Sequence, residues 1–376
     1  MTSGWTIASP LKDSMHLNNF FLRSFRVLLF PFALVYGAGV MVRNWMYDKS
    51  ILKTSHFNIP IICIGNLSVG GTGKSPMVEY LVGLLKDQFK VATLSRGYMR
   101  RTKGYLLANN TTTALEIGDE PMQFYLKHPE VSVAVGEERI EAIPQLLFDR
   151  PDTEVIVLDD AFQHRSIQAG LNILLTDCQN LYTDDFFLPT GDLRDQIGSA
   201  ARADILVVTK CKPGMNESEA ARIKQELKPL PHQAVFFTSI RYGEPYHLVT
   251  HVNRPLNKNM EVLLVCGIAN PDPLKKYLLE EANTYEACYY SDHHIFTIDD
   301  LREIRERYDS MDAKEKIIIT TEKDAVRLVK FGDVLGDIPF YVLPINVSFL
   351  FSDVRRFNEL IVHFIHTFKQ GSTTAA

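Results

Sequence analysis

Ser68-Val69-Gly70-Gly71-Thr72-Gly73-Lys74-Ser75 lies between the apolar run Ile61–Ile64 and a segment where Met77, Val78, Leu81, Leu84 and Leu85 recur at helical spacing. A glycine-rich turn that follows a strand, ends in Gly-Lys-Ser and opens a helix is the context of a Walker A phosphate loop. Glycines let the backbone wrap closely enough for amide hydrogens to point at phosphate oxygens. The helix N-terminus adds partial positive charge. Lys74 is placed to contact the β and γ phosphates, and Ser75 to put its hydroxyl on Mg²⁺. The usual first glycine is Ser68 here, with Gly70 and Gly71 supplying flexibility inside the loop. The G-x-G-x-x-G of a dinucleotide fold is absent.

Outward from the loop, short apolar runs alternate with helical patterns. Strands are predicted at Ile61–Ile64, Val91–Leu94, Val131–Val135, Val155–Leu158, Ile173–Leu175 and Ile205–Thr209. The implied fold class is α/β: a P-loop NTPase-like parallel sheet with helices on both faces. From Lys212 to Pro231 the chain turns polar and proline-punctuated. A ribbon, Ala234–Tyr242 with Pro245–Val249, is expected around Gly243. Strands at Glu261–Gly267, Lys316–Thr320 and Phe340–Leu343, a helix at Pro273–Ala282 and a closing helix at Val354–Phe368 form a second, smaller α/β lobe. The expected division is a helical segment over 1–50, the P-loop domain over 51–230, a ribbon linker over 231–250 and the second lobe over 251–370. With 376 residues, two domains are a reasonable number.

Val155-Ile156-Val157-Leu158 runs into Asp159-Asp160. A carboxylate at the carboxyl end of a buried strand is the Walker B arrangement, able to reach Mg²⁺ directly or through water.

Net charge is −5, which with no recognisable RNA or DNA module disfavours nucleic acid as a partner. No protein partner is evident. Cys63, Cys178, Cys211, Cys266 and Cys288 form no C-x-x-C pair, as expected of reduced, buried thiols. Near the N-terminus, Val27–Val42 carries no charge. Arg23 and Arg26 precede it, Arg43 follows, and Phe20, Phe21, Phe25, Trp45 and Tyr47 crowd its ends. Basic and aromatic margins suit a membrane interface. The run is shorter than the roughly 20 residues that span a bilayer. It reads as a membrane-associated helix in one leaflet. A buried core helix is the competing reading; a signal peptide would export an ATP-binding motif away from ATP.

Several unusual segments occur in order: Gly65-Asn66 with VGGTGKSP, SRGYMRRTKGY from Ser95, GDEP from Gly118, LDDAFQHR from Leu158, LPTGDLRD from Leu188, SDHH from Ser291 and TTEKD from Thr320. Together they resemble the tetraacyldisaccharide 4'-kinase family of lipid A synthesis. The resemblance implies transfer of the γ-phosphate of ATP, with Mg²⁺, to the 4'-hydroxyl of an acylated disaccharide 1-phosphate. It implies peripheral attachment at the cytoplasmic face of the bacterial inner membrane. Asp119 of GDEP is the implied base, His293 its assistant (rather than His294), and Ser68–Ser75 the nucleotide loop. Ser75, Asp159, Asp160, Gln163 and Asp195 are the implied metal-region residues. Arg96, Tyr98, Arg100, Arg101, His164 and Arg194 are the implied substrate contacts. Arg96, Arg100, Arg101 and Lys103 form a basic cluster whose guanidinium groups suit a phosphate.

The chain departs from the family's pattern in places. Ala161 and Met99 replace glycines, and the family's LREP reads Leu193-Arg194-Asp195-Gln196, where the shorter Asp195 has less reach. Two other classes of function compete. A GTPase-like switch would use Val207-Val208-Thr209-Lys210-Cys211, but Lys212 stands where a guanine-reading aspartate belongs. A non-catalytic ATP-sensing membrane scaffold would bind nucleotide without turnover.

Overall fold

The computed structural model describes residues 26–374. The expected interface residues Phe20, Phe21, Arg23 and Phe25 lie outside them. Fourteen strands are present among the described residues. They are β1 Ile61–Asn66, β2 Val91–Ser95, β3 Leu106–Leu107, β4 Ser132–Val135, β5 Val155–Asp159, β6 Leu171–Asp177, β7 Ile205–Thr209, β8 Ala234–Tyr242, β9 Tyr246–His247, β10 Glu261–Cys266, β11 Thr284–Tyr289, β12 Lys316–Thr321, β13 Phe340–Leu343 and β14 Ile345–Phe349. The principal helices are α1 Phe30–Asp48, α2 Lys74–Leu85, α3 Asp119–Lys127, α4 Arg139–Asp149, α5 Glu217–Leu227, α6 Asp272–Glu281, α7 Ile298–Ser310, α8 Glu322–Leu328 and α9 Val354–Thr374.

The large sheet has nine strands in the order β14-β8-β7-β6-β1-β5-β2-β4-β3. Neighbours from β8 through β4 are parallel; β14 and β3 close the edges antiparallel. β1, β2, β5 and β7 are buried at every residue, as continuous apolar runs covered on both faces should be. One face packs Ala142, Ile143 and Leu146 of α4 and Ala220, Ile223 and Leu227 of α5. The other packs α2, α3 and Phe357, Ile361 and Ile365 of α9. The small sheet, β11-β10-β12-β13-β9, is parallel except for β9, with α6 and α7 contributing to its two cores.

The domain division expected from sequence needs two corrections. Ala234–Tyr242 is not half of a ribbon: it joins the large sheet parallel to β7, while Tyr246–His247 pairs with β13 in the small sheet. The chain therefore crosses between lobes at Gly243. It also crosses back: β14 pairs with β8, and α9 completes the core of the first lobe. Residues 345–374 belong to the P-loop lobe, and the second lobe is an insertion between two strands of one sheet.

α1 docks on the P-loop lobe through its few small or polar buried positions, Ala33, Gly37 and Asn44. A Cβ on Gly37 would lie 2.7 Å from the Phe187 ring, so glycine permits the close approach. Asn44 Nδ2 donates to Asp195 Oδ1 at 2.7 Å, Tyr36 donates to the Arg194 carbonyl at 3.1 Å, and Arg26 donates to Asp192 at 2.6 Å. Phe32, Leu34, Val35, Met41, Val42 and Trp45 are left exposed. No helix among the described residues is long and apolar enough to cross a membrane.

Candidate active site

The phosphate loop is shaped by two left-handed glycines, Gly70 at φ +100° and Gly73 at φ +82°, the latter capping α2. Neighbours fix the rest. Asn66 Nδ2 donates to Thr72 Oγ1 at 2.8 Å, and Thr209 Oγ1 donates to the Thr72 carbonyl at 2.8 Å. Val69 N–H donates to the Asp192 carbonyl at 2.7 Å, and Ser68 bridges Leu193. Ser68 is not among the positive-φ residues, so its missing glycine costs no strain. Gly65 explains the Gly-Asn pair ahead of the loop: a Cβ there would meet Phe162 at 2.5 Å.

Asp159 ends β5 and faces this loop with Asp160. Burial, and then the Asp160 charge, push the Asp159 carboxyl up to about 7. Its buried Oδ1 has no partner. Asp160 stays well ionised: burial opposes its charge, but Arg194 and Lys74 outweigh it. Arg194 grips both Asp160 oxygens, Nη1 to Oδ2 at 3.1 Å, and also bonds Asn66 Oδ1. Lys74 Nζ lies 3.8 Å from Asp160 Oδ1, its ammonium pulled down by burial against the pull of Asp160. Gln163 donates to the Asn66 carbonyl at 2.6 Å. His164, pushed down to about 4 by burial and by Arg139, is neutral.

Across the lobe boundary, Asp119 at the start of α3 is 2% exposed and fully engaged. Its Oδ2 is 2.7 Å from His293 Nδ1, and its Oδ1 accepts from Arg327 Nε at 2.6 Å. Burial alone would raise the carboxyl; the bonds from His293 and Arg327 win and hold it below the usual carboxylate range. Gly118 makes the approach possible. It sits at φ +93°, and a Cβ would be 2.9 Å from the Tyr98 carbonyl, so the GDEP and SRGY segments touch. The Tyr98 ring lies 5.7 Å from that of His293. Its neighbour His294 turns away, bonding Asp300 at 3.0 Å and stacking on Tyr290.

Two expectations are corrected. Asp195 is not in the nucleotide cleft: its oxygens accept from Asn44, Ser199 and the Gln196 amide, and from Arg202 at 2.9 Å. The shorter acid anchors α1, and it leaves the metal-region set. Arg100 is not offered to a substrate either. Its side chain is 2% exposed and bonds Glu137 at 2.6 Å and the Gly104 carbonyl. Arg96, Tyr98 and Arg101 are exposed.

Three side chains in contact with the candidate site residues escaped the sequence reading. Arg327 and Lys323 lie on α8, the latter 3.0 Å from His293 Nε2. Arg139 is buried, donates to the Asp159 carbonyl at 3.4 Å and is pulled down to about 10 by burial. Its signal was available: Arg139 shares a helical stripe with Ala142, Ile143 and Leu146, and a charge on a buried stripe needs a reason.

A phosphate cradle on one lobe, with an acid–histidine pair completed by the other, is the build of a P-loop kinase, and the fold and site place this chain in that class. A family model for tetraacyldisaccharide-1-P 4'-kinase matches residues 25–366. The chain belongs to the tetraacyldisaccharide 4'-kinase family. It is 41% identical over 359 residues to the tetraacyldisaccharide 4'-kinase of Bacteroides thetaiotaomicron, covering 92% of this chain and 94% of that one. It is 44% identical over 341 residues to that of Flavobacterium johnsoniae, covering 90% and 97%. Among solved structures, LpxK from Aquifex aeolicus in complex with ATP superposes with a TM-score of 0.71 at 29% identity, covering 91% of this chain and 99% of that one.

Proposed function

We propose that the chain transfers the γ-phosphoryl group of ATP to the 4'-hydroxyl of a tetraacyldisaccharide 1-phosphate, yielding the bis-phosphorylated lipid. The observation that carries this reading is the meeting of Asp119, at the start of α3 in the P-loop lobe, with His293 of the second lobe at 2.7 Å.

Lys74 and the loop amides bind the terminal phosphates, and Arg194 adds a second cation beside Asp160. Residues fit for Mg²⁺ are present. Asp159 has a buried oxygen without a partner, Asp160 adjoins it, and Ser75 opens α2. Among the described residues no cluster of three or more His, Cys, Asp or Glu could cage a metal, which suits an ion carried on one or two carboxylates plus nucleotide phosphates. Bound there, Mg²⁺ would neutralise charge on the transferred group.

Asp119 orients the sugar hydroxyl and receives its proton with His293. A carboxylate held this low is a weak base, so it takes the proton late, once the forming P–O bond has made the alcohol acidic. Tyr98 borders this position, its ring 5.7 Å from that of His293, and the exposed Arg96 and Arg101 of the same segment offer two guanidinium groups to the phosphorylated sugar.

α1 supplies the membrane contact. Its exposed apolar face is suited to one leaflet, which keeps acyl chains in lipid while the sugar reaches the cleft. ATP is a cytoplasmic solute, so that face of the membrane is the expected one.

The test supplies labelled ATP, Mg²⁺ and the tetraacyldisaccharide 1-phosphate in detergent and looks for the bis-phosphorylated product. Lys74→Ala and Asp119→Ala are each expected to slow it by orders of magnitude; unchanged rates in both would overturn the assignment.

A further inference from the structure

We propose that Lys323 is a positioning residue that keeps His293 neutral by occupying its Nε2 lone pair, so that Asp119 faces a neutral ring and stays basic enough to take the hydroxyl proton. The inference rests on the functional reading above and adds a residue to it.

Lys323 and Arg327 are four residues apart on α8, so one helix face presents both cations to the pair. Lys323 Nζ lies 3.0 Å from His293 Nε2 and 3.0 Å from Asp292 Oδ1. An ammonium has three hydrogens and no acceptor lone pair. Nε2 must therefore accept, and the ring proton sits on Nδ1, donating to Asp119 Oδ2. Arg327 Nη2 lies 3.2 Å from the same Nδ1, but two donors face each other there. Arg327 makes its bonds instead to Asp119 Oδ1 and the His294 carbonyl.

The alternative protonation state is the one Lys323 prevents. Beside an anionic carboxylate, an imidazole gains from taking a second proton. An imidazolium in contact with Asp119 would favour its ionised form still more and make it a poorer proton acceptor. With Nδ1 already protonated and Nε2 accepting from Lys323, the hydroxyl proton goes to Asp119, whose carboxylate beside a neutral ring is the better base. The charged groups around the ring are Asp119 from α3, Lys323 and Arg327 from α8, and Asp292 from its own loop, 3.9 Å from Nε2.

The surroundings leave this geometry little slack. Asp324 accepts from the Gly267 amide at 3.0 Å and from Thr321 at 2.7 Å. A Cβ on Gly267 would lie 2.8 Å from the Ser291 carbonyl, so β10 abuts the His293 loop. Glu322 bonds Lys127 of α3 and accepts from the Ile345 amide at 3.0 Å. His293 itself is left-handed, at φ +60°. The TTEKD segment thus fixes α8 against both the histidine loop and the P-loop lobe while Lys323 points at the ring.

The test reads the ring directly in the ligand-free, full-length protein. With ¹⁵N-labelled histidine, His293→Gln identifies the His293 signals among the 11 histidines. The wild type and Lys323→Arg are expected to show one protonated and one bare ring nitrogen at neutral pH, and Lys323→Met two protonated nitrogens. Lys323→Met should lower kcat on the order of tenfold to a hundredfold with KM for ATP unchanged, and Lys323→Arg should restore it. Two protonated nitrogens in the wild type would overturn the proposal. So would a bare nitrogen that persists in Lys323→Met, whatever its activity, since the role would then be packing alone. A wild type that forms no phosphorylated lipid would sink the functional reading and leave the ring assignment standing.

Discussion

Met99 occupies a left-handed backbone position, φ +57°, where the family pattern has glycine, and its side chain is 62% exposed. Little packing offsets the strain, so Met99→Gly should stabilise the protein by about 0.5–1 kcal/mol. A denaturant midpoint that fails to rise would show the loop is relaxed. Asp159 offers a pH-dependent readout. With its carboxyl raised to about 7, folding binds a proton that the unfolded chain would release, and this contribution weakens stability as pH rises from the usual carboxylate range to 7. A divalent cation prefers the anion. Loading Mg²⁺ and nucleotide should therefore release up to one proton below pH 7 and almost none well above it. Calorimetry in two buffers of different ionisation heat would show this; buffer-independent heats near pH 6 would refute it. At this scale the phosphate loop and Asp159 were legible because local spacing defines them. Lys323 and Arg327 were not, since Arg327 meets Asp119 208 residues away and Lys323 meets His293 in another loop 30 residues away.

Among the elements, α1 depends on small residues to reach its seat. Gly37→Leu would drive a branched side chain into Phe187 and should cost about 1–3 kcal/mol, loosening the Asn44–Asp195 contact. Limited proteolysis is expected to cut within 30–48 in this variant while the P-loop lobe stays intact; an unchanged cleavage pattern would mean the contact is dispensable. Most strands were visible in the sequence because burial on both faces makes them unbroken apolar runs, as in β1 and β7. β8 was visible too, but its partner was not. Gly243 followed by Pro245–Val249 looks like a local hairpin, whereas the true antiparallel neighbour, β14, comes a hundred residues later. β14 itself is only half-buried, so its composition does not announce a strand. β11 was missed for a similar reason: Tyr285, Glu286 and Tyr289 dilute the apolar signal at the edge of the small sheet.

At the scale of the whole molecule, the lobes are joined by side chains as well as by chain crossings. Lys127 of α3 bonds both Glu79 of α2 and Glu322 of α8, and Arg327 bonds Asp119. Helix α2, Asp119 and helix α8 are thereby linked in one network. Breaking it at a single charge leaves the others buried without compensation.

Tyr242 and Ile345, the last residue before the second lobe and the first after it, are direct cross-strand partners. Everything between them hangs from the sheet as an oversized hairpin loop. Surgery at that point is simple: an Asn-Gly turn could close the two strands and remove the entire appendage without displacing either end. The trimmed chain should still retain ATP on a nucleotide column, yet phosphorylate no lipid. If it precipitated instead, the appendage would be a folding partner of the sheet rather than a passenger on it.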